Sequence, residues 1–224
     1  MKIVVIGDIH GNLDLTPRMR TAIGSADLIF LNGDLTNFGT PQHLHKLLEN
    51  LREYTSAPIK AVPGNCDTPE VFLEIERVGI NLHRSGEVIA GSLGIMAVGG
   101  SNISPFKAPI EFTENDIAKF LADGFEEVEN CESVILLSHF PPKDTNADRI
   151  SSGPHVGSPT LREFILKHPS IKLVLCGHIH EAIGIDKLGG IPVVNHGMAS
   201  QGHFVAVEAT PGSEGRWEIA YETY

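Results

Sequence analysis

Short apolar runs rich in β-branched residues recur along the first part of the chain. Residues 2–6, 28–31 and 59–62 form three such runs, and each is followed by a polar loop that contains glycine. Runs that are apolar over nearly their whole length are typical of strands in a sheet covered on both faces. Between the second and third runs, residues 41–54 carry leucines at helical spacing, with Thr40 placed to cap the helix. This alternation of strand and helix predicts an α/β architecture.

The middle of the chain predicts a different local structure. Residues 87–89 and 93–98 flank a short Ala-Gly-Ser turn, which favours an antiparallel hairpin. The earlier pattern then resumes, with predicted strands at 133–137 and 171–176. Between these strands, residues 158–168 predict a helix that Ser158 would cap.

Beyond Gly177 the chain consists of strand-like pieces separated by Gly, Pro and Asn. These pieces are residues 182–185, 191–194, 204–208 and 217–221. Early crossover helices and late hairpins predict two packed mixed sheets with helices on the outside. No repeat or linker divides the sequence, so we expect a single domain over residues 1–224.

Two long loops, residues 99–112 and 140–157, are candidate walls of a substrate cleft, because long loops in compact domains are commonly functional or mobile. Two cations in these loops, Lys107 and Arg149, are candidates for contact with a substrate phosphate. Three aromatic residues are candidates for packing against a base or aryl group: Phe106, Phe112 and Phe140. Plain exposure of the cations and core anchoring of the aromatic rings are the alternatives.

Charge narrows the set of partners. The 224 residues include 17 Lys and Arg against 28 Asp and Glu, a formal net charge of −11. Duplex nucleic acid and anionic membranes are therefore not expected as partners, because both attract basic surfaces. Hydrophobic residues at 42% and charged residues at 20% are typical of a globular enzyme and exclude a disordered or collagen-like chain.

Cysteine use and apolar run length indicate the compartment. Cys66, Cys131 and Cys176 are odd in number and form no C-x-x-C pair, which suits a reducing environment. The apolar stretch at the amino terminus is too short for the core of a signal peptide, and no run has the roughly 18 residues of a spanning helix. We therefore expect a cytoplasmic protein.

Side chains suited to binding metal follow the apolar strands at their carboxyl ends, where open α/β sheets place their sites. These residues are Asp8, His10, Asp34, Asn65, Asp67, His139, His178 and His180. Each short motif alone is an ordinary turn sequence, since Gly, Asp and Asn are common turn residues. Their joint placement after five predicted strands favours a metal site.

The ligand types point to a pair of divalent ions. Carboxylate oxygens mixed with imidazoles suit Mn, Fe, Co, Ni or Zn better than Mg or Ca alone, and Mn is the ion we expect. Seven of these residues, all but Asp67, are the candidate ligands. Seven exceed the three protein ligands of a catalytic zinc, so two ions are expected. A metal pair activates a bridging hydroxide and clamps phosphate oxygens, which lets an acidic protein bind an anionic ester.

The motifs Asp-x-His, Gly-Asp, Gly-Asn-x-Asp, His and Gly-His-x-His, in this order from Asp8 to His180, resemble those of the calcineurin-like metallophosphoesterase superfamily. The resemblance implies a four-layer α/β/β/α sandwich and places this short chain near the prokaryotic branch of cyclic-nucleotide phosphodiesterase-like proteins. It also implies the metal ligands. One ion would be held by Asp8, His10 and His180, the other by Asn65, His139 and His178, with Asp34 bridging both.

One position departs from the family pattern. Most members carry a histidine after the ligand asparagine, where it contacts phosphate and protonates the leaving group, but this chain has Cys66. A thiol, with a reference pKa of about 8.5, is a weaker acid at neutral pH than imidazolium, so activated esters should be favoured. His155 in the second long loop is a candidate substitute. Asp67 matches the acid that would orient an imidazole in the family, although it is also a candidate helix cap.

The sequence thus predicts a dinuclear phosphoesterase acting on small phosphate esters, diesters more than monoesters. A catalytically weak binding module on the same fold, as in the retromer subunit that resembles this superfamily, is one alternative. A nuclease is another, although no Lys/Arg cluster supports it. A homodimer is possible, and His196 is a further candidate for lining the site because it follows a strand end in a polar loop.

Overall fold

The computed structural model describes residues 1–224, apart from the side chain of residue 214. Two mixed β-sheets form its centre. The first sheet has the spatial order β13 (Trp217–Thr223), β12 (Val205–Pro211), β1 (Lys2–Ile6), β2 (Leu28–Asn32) and β3 (Ile59–Val62). Strands β1, β2 and β3 are parallel, whereas β12 pairs antiparallel with both β1 and β13.

The second sheet has the order β10 (Gly184–Leu188), β11 (Ile191–Asn195), β9 (Ile171–Cys176), β8 (Ser133–Ser138), β5 (Leu93–Val98) and β4 (Ser85–Ala90). Strands β5, β8, β9 and β11 run parallel, and the two edge strands are antiparallel to their neighbours. A small parallel pair, β6 (Ser101–Asn102) and β7 (Glu111–Phe112), lies within the first long loop.

Helices cover the outer face of each sheet. They are α1 (Pro17–Gly24), α2 (Pro41–Arg52), α3 (Pro69–Arg77), α4 (Glu114–Glu126) and α5 (Pro159–Lys167). Thr40 precedes α2 as its N-cap, and the Ser158 hydroxyl accepts a hydrogen bond from the Leu161 N–H at the start of α5, as the sequence predicts. None of the described helices has the length and hydrophobicity needed to span a bilayer.

Alternating side chains on the buried strands create the layers. Val4 and Ile6 of β1 pack towards the helices on the first sheet, whereas Ile3 and Val5 pack between the two sheets. A third apolar cluster joins the second sheet to α4 and α5, for example through Val174. The layers are therefore α/β/β/α, which confirms the fold class implied by the sequence.

The structure corrects some element boundaries. The strand predicted at 182–185 is wrong in its first half, because residues His180–Ala182 form a 3-10 turn closed by the Ala182 N–H to Ile179 carbonyl bond. Strand β10 begins at Gly184, where pairing with Asn195 of β11 starts. Helices α1 and α4 have no counterpart in the predicted elements, and α3 is anticipated only by the candidate cap Asp67. A threonine stands before each of the three helices.

Candidate metal centre

The loops that follow β1 and β2 interlock through their backbones. The Asp8 N–H donates to the Gly33 carbonyl at 3.1 Å, and the His10 N–H donates to the Asp34 carbonyl at 2.8 Å. Asp8, His10 and Asp34 all have left-handed backbones, with φ of 50°, 52° and 48°. Left-handed non-glycine residues are uncommon and cluster at functional sites, where neighbouring hydrogen bonds hold them. These bonds fix the direction in which each side chain leaves the loop.

Two glycines allow the loops to approach one another. A Cβ atom on Gly64 would overlap the backbone nitrogen and the carboxylate of Asp34, and one on Gly177 would overlap the Asp8 carboxylate and the His196 ring. Any side chain at either position would displace a carboxylate from the centre. The Gly-Asn and Gly-His motifs therefore have a packing reason for their glycine.

One group of four side chains converges within this loop cluster. Asp8, His10, Asp34 and His180 each offer one ligand atom, and these atoms lie within 4.8 Å of one another. The Nε2 atoms of His10 and His180 are 3.2 Å apart, and the His180 Nε2 atom is 3.3 Å from Asp8 Oδ1. The geometry places imidazole nitrogens and carboxylate oxygens around a common centre.

A second group surrounds the other oxygen of Asp34. Its Oδ1 atom is 3.5 Å from His139 Nε2, and the same nitrogen is 3.2 Å from Asn65 Oδ1. The His178 ring lies beside that of His139, with centroids 5.3 Å apart. His139 Nδ1 contacts the carbonyl of Asn32 at 2.9 Å, and a proton on Nδ1 leaves Nε2 free to bind a metal.

The two carboxylates dominate the electrostatics. Burial acts to raise the pKa of Asp34, but the charge and hydrogen bond of His139 and the Cys66 N–H outweigh it and hold the pKa well below its usual range. Burial likewise acts to lower the pKa of His139, yet attraction to Asp34 and Asp8 raises it to about 9. The Asp34 carboxylate is therefore charged, and a positive group beside it stabilises that charge.

These residues fit divalent metal ions. Buried carboxylates require a compensating charge, and among the described residues no Lys or Arg forms an ion pair with Asp8 or Asp34. Facing imidazole nitrogens and carboxylate oxygens are ligands suited to transition metals. Both the charge and the donor atoms are those that such ions need.

Asp67 holds the backbone of the site. Its buried carboxylate accepts hydrogen bonds from the N–H groups of Gly64, Leu35 and Thr36, and from the Thr36 hydroxyl. Burial, followed by the charge of Asp34, raises the pKa of Asp67 to about 6. The expected contact with an imidazole is absent among the described residues, because these four donors saturate the carboxylate. Thr68, not Asp67, caps α3.

Cys66 and His155 occupy different parts of the structure. The Cys66 N–H donates to Asp34 Oδ1 at 2.8 Å, and burial raises the pKa of its thiol. His155 lies exposed in the second long loop, where its Nδ1 atom is 2.6 Å from Oδ1 of the buried Asp148. Three further N–H donors, from Asp144, Thr145 and Gly157, fix the Asp148 carboxylate. His155 is thus a fixed imidazole, outside the group of four.

Loop contacts connect His155 to the metal-binding loops. The buried Asn195 amide donates to the carbonyl of Ile179 at 2.9 Å and contacts the carbonyl of Ala147 at 3.4 Å. Asn102 of the first long loop donates to the carbonyl of Val156 at 3.1 Å. The second long loop is therefore attached to both the His178–His180 loop and the first long loop.

His196 and Asn32 are buried residues that contact each other next to the metal-ligand candidates. His196 is buried, with Nδ1 3.8 Å from Asp8 Oδ2 and Nε2 3.1 Å from Asn32 Nδ2. The Asn32 amide also donates to the Ser138 carbonyl, so it joins β2 to the strand that precedes His139. Asn32 is missed by the sequence analysis. Its one signal is a polar residue directly after an apolar strand.

The aromatic and cationic candidates of the two long loops differ in burial and in contacts. Phe140 is fully buried in the core, and Phe112 packs against Phe120. Phe106 is 91% exposed, and Arg149 Nε donates to the Gly153 carbonyl at 3.3 Å. Core anchoring thus explains Phe112 and Phe140, as the alternative interpretation anticipates.

Comparison with known proteins places this geometry in a family. Residues 1–182 match the calcineurin-like phosphoesterase family. An uncharacterized protein of Methanocaldococcus jannaschii is 38% identical over 198 residues, 87% of each chain. A probable cyclic nucleotide phosphodiesterase of Synechococcus is 27% identical and aligns over 81% of this chain and 74% of its own length. The crystal structure of TT1561 from Thermus thermophilus shares the fold, with a TM-score of 0.72, 21% identity and coverage of 98% and 97% of the two chains. The chain therefore belongs to the calcineurin-like phosphoesterase family and is a metal-dependent phosphoesterase.

Proposed function

We propose that this protein hydrolyses small phosphodiesters with two divalent metal ions. The observation that carries the proposal is the position of Asp34 between two ligand groups. Its Oδ2 atom is 3.7 Å from His10 Nε2, and its Oδ1 atom is 3.5 Å from His139 Nε2. A carboxylate whose two oxygens face two sets of donors is suited to bridging a metal pair.

In this proposal Asp8, His10 and His180 would hold one ion, and Asn65, His139 and His178 would hold the other. The Asp34 carboxylate would serve both. The mixture of oxygen and nitrogen donors favours Mn first, with Ni, Co, Fe and Zn as alternatives. When bound, such ions make water a stronger nucleophile at neutral pH and neutralise charge on phosphoryl oxygens.

The chain's own groups act on the phosphate and on the leaving oxygen. Asn65 directs its Oδ1 atom towards His139 and donates from Nδ2 to Cys66 Sγ at 3.5 Å, which leaves one Nδ2 hydrogen to stabilise negative charge on a phosphoryl oxygen. Hydrolysis adds the oxygen of water to phosphorus, breaks the P–O bond to the leaving group and requires a proton on that leaving oxygen.

His155 is the proposed donor of that proton. Asp148 fixes the ring through Nδ1, and Nε2 makes no hydrogen bond to any described residue. A buried carboxylate that orients an accessible imidazole is a common arrangement in proton transfer. This role would supply the acid that the family histidine provides where this chain has Cys66.

Charge favours a diester substrate. A monoester dianion is more negative than a diester anion and benefits more from additional cationic side chains. No described Lys or Arg pairs with the metal-ligand candidates. The name of the Synechococcus relative, a probable cyclic nucleotide phosphodiesterase, supports the same substrate class.

The test compares bis(p-nitrophenyl) phosphate with p-nitrophenyl phosphate. Protein stripped of metal is refilled separately with Mn, Ni, Co, Zn or Mg, and 2′,3′-cyclic nucleotides and single-stranded DNA are assayed in parallel. Asp34→Asn is the inactive control, and Glu163→Gln on the exposed face of α5 is the matched acidic control. We expect metal-dependent diester turnover that Asp34→Asn abolishes and Glu163→Gln retains.

Two other outcomes would change the proposal. Faster turnover of the monoester would reverse the substrate preference. Absence of turnover with every metal, although two ions bind per chain, would favour the binding-module alternative.

A further inference from the structure

Phe38 has a strained backbone and an exposed apolar side chain, and its ring contributes to no aromatic cluster among the described residues. Its backbone is left-handed, with φ of 50°, a conformation that is a steric outlier for a bulky side chain. Its side chain is also 59% exposed. Among the described residues its ring makes no stacking or edge contact with another aromatic ring. Neither core packing nor local backbone preference explains a phenylalanine here.

Hydrogen bonds force this conformation and fix its position. The Phe38 N–H donates to the Cys66 carbonyl at 3.0 Å, and the Thr68 hydroxyl donates to the Gly39 carbonyl at 3.1 Å. Asp67 binds both the N–H and the hydroxyl of Thr36. The segment from Thr36 to Gly39 is therefore attached along its length to the loop that carries Asn65.

That attachment brings Phe38 next to the proposed metal centre. Cys66, whose carbonyl receives the Phe38 N–H, donates its own N–H to Asp34 Oδ1 at 2.8 Å. Two hydrogen bonds and one residue thus separate Phe38 from the bridging carboxylate. Backbone strain held in place beside a reactive centre commonly has a functional reason.

We propose that Phe38 is a specificity-determining residue that stacks on an aromatic or heteroaromatic ring in the ester group of the substrate. This inference rests on the proposed phosphodiesterase function. Every aryl group or nucleobase offers a π-face, so one exposed phenyl ring recognises the class without selecting one member. Stacking of this kind changes affinity by about 5- to 150-fold when the ring is removed.

Phe106 is the competing exposed aromatic residue. Its N–H donates to the Ser104 hydroxyl within its own loop, and it has no described hydrogen bond to a metal-ligand loop. The loop that carries Phe106 also reaches the Asn65 loop, because the Ile110 N–H donates to the Asn65 carbonyl at 3.4 Å, but Phe106 lies four residues away from that bond. Phe38 is bonded directly to Cys66, so the structure assigns the contact to Phe38.

The test measures binding of two probes that differ only in the ring. Phenylphosphonate and methylphosphonate are titrated calorimetrically into metal-loaded protein, and the ratio of their dissociation constants is the readout. Phe38→Asn removes the ring but tolerates the left-handed backbone, whereas Phe38→Tyr keeps the ring. Leu73→Ala, an exposed apolar residue on α3, is the matched control.

We expect the wild type, Phe38→Tyr and Leu73→Ala to prefer phenylphosphonate at least 5-fold. In Phe38→Asn the preference should fall to about 1 while methylphosphonate affinity and thermal stability are maintained. KM for bis(p-nitrophenyl) phosphate should rise in Phe38→Asn more than kcat falls.

The outcomes separate the two proposals. If the wild type hydrolyses the diester and Phe38→Asn keeps the phenyl preference, the role of Phe38 is overturned and the phosphodiesterase proposal stands. If Phe106→Asn, and not Phe38→Asn, removes the preference, the contact belongs to the other loop. If the wild type neither binds the probes nor turns over the diester with any metal, both proposals fail.

Discussion

His10 and His180 are 170 residues apart in sequence, yet their Nε2 atoms lie 3.2 Å apart. Two nitrogens at this distance share a proton or converge on a cation. Two carboxylates lie beside them, with Asp8 Oδ1 3.3 Å from His180 Nε2 and Asp34 Oδ2 3.7 Å from His10 Nε2. Their charge determines whether the two nitrogens share a proton or bind a cation. The charge of the carboxylates favours a divalent cation, which leads to a prediction about stability.

Metal removal should destabilise the protein measurably. At a free metal concentration of about 100 times Kd, binding stabilises the folded state by about 2.7 kcal/mol. For a chain of this size that corresponds to a rise in Tm of about 5–10 °C. Thermal unfolding followed by circular dichroism, with chelator and with Mn, checks the shift. The rise in Tm should vanish in Asp34→Asn and persist in Glu163→Gln. An equal rise in both variants would mean that the metal binds at a different site.

Loss of the His155 imidazole should affect poor leaving groups selectively. General acid catalysis contributes about 10²- to 10⁴-fold, and a p-nitrophenolate leaving group needs little of it. His155→Ala should therefore reduce kcat for alkyl phosphodiesters by about that factor while changing p-nitrophenyl esters little. Asp148→Asn should show the same selectivity to a smaller degree. Equal losses on both substrate types would indicate that His155 acts on loop structure and not on the leaving group.

Cys66→His tests the position where the family carries histidine. An imidazole here offers a stronger proton donor at neutral pH than a thiol, whose pKa burial raises in this structure. The rate of hydrolysis should increase more for alkyl than for aryl diesters in Cys66→His. The same substitution should restore alkyl diester turnover when it is combined with His155→Ala. Steady-state kinetics on matched alkyl and aryl diesters provide the measurement, and a uniform change across both series would contradict the prediction.

Gly64→Ala should disrupt the centre through packing. Its Cβ atom would overlap the backbone and the carboxylate of Asp34, so we expect a loss of about 2–4 kcal/mol and weaker metal binding. Gly24→Ala is the matched control. Its Cβ would meet only the Tyr54 carbonyl at 3.5 Å, and alanine at this helical position should be neutral or stabilising. Urea unfolding and metal titration of both variants make the comparison, and tolerance of alanine at Gly64 would contradict the close approach.

His83 should make the fold sensitive to acid. It is buried among the rings of Phe72, Phe112 and Phe120, and its Nδ1 atom accepts the Gly99 N–H at 2.9 Å. Burial, followed by the charge of Arg84, lowers its pKa to about 3. The unfolded chain, with a pKa near 6.5, binds more protons between these values, so stability must fall as pH decreases through this window.

The expected contribution of His83 is about 2 kcal/mol of lost stability between pH 7 and pH 5. His83→Gln keeps a hydrogen-bond acceptor but does not titrate, so its stability should decline less over the same range. Urea unfolding of both proteins at several pH values measures the difference. Parallel stability profiles would show that His83 is not responsible.

Local sequence pattern was enough to predict most strands of the two large sheets and the residue types at their ends, but not the β6–β7 pair in the first long loop or the start of β10. Runs such as Lys2–Ile6 and Ile171–Cys176 are apolar over nearly their whole length, and that pattern requires burial wherever the chain folds. Placement of Asp8, Asp34 and His139 after such strands then predicts one shared edge of the molecule.

Helices α1, α3 and α4 span 8, 9 and 13 residues, against 12 and 9 for α2 and α5, so length does not explain why they were missed. Their signals in the sequence are a threonine before each helix and, in α3 and α4, apolar pairs at helical spacing such as Val71 with Ile75 and Ile117 with Leu121.

The use of each side chain, in contrast, depends on how the loops meet in three dimensions. Asp67 binds the backbone of the Asp34 loop, Asp148 orients His155, and Phe38 is held left-handed by Cys66. Each relationship depends on loop conformation and on contacts between separate segments, which local hydrophobic patterns do not specify. Burial fixes which residues face the core, whereas hydrogen bonds between loops fix the direction of the side chains that react.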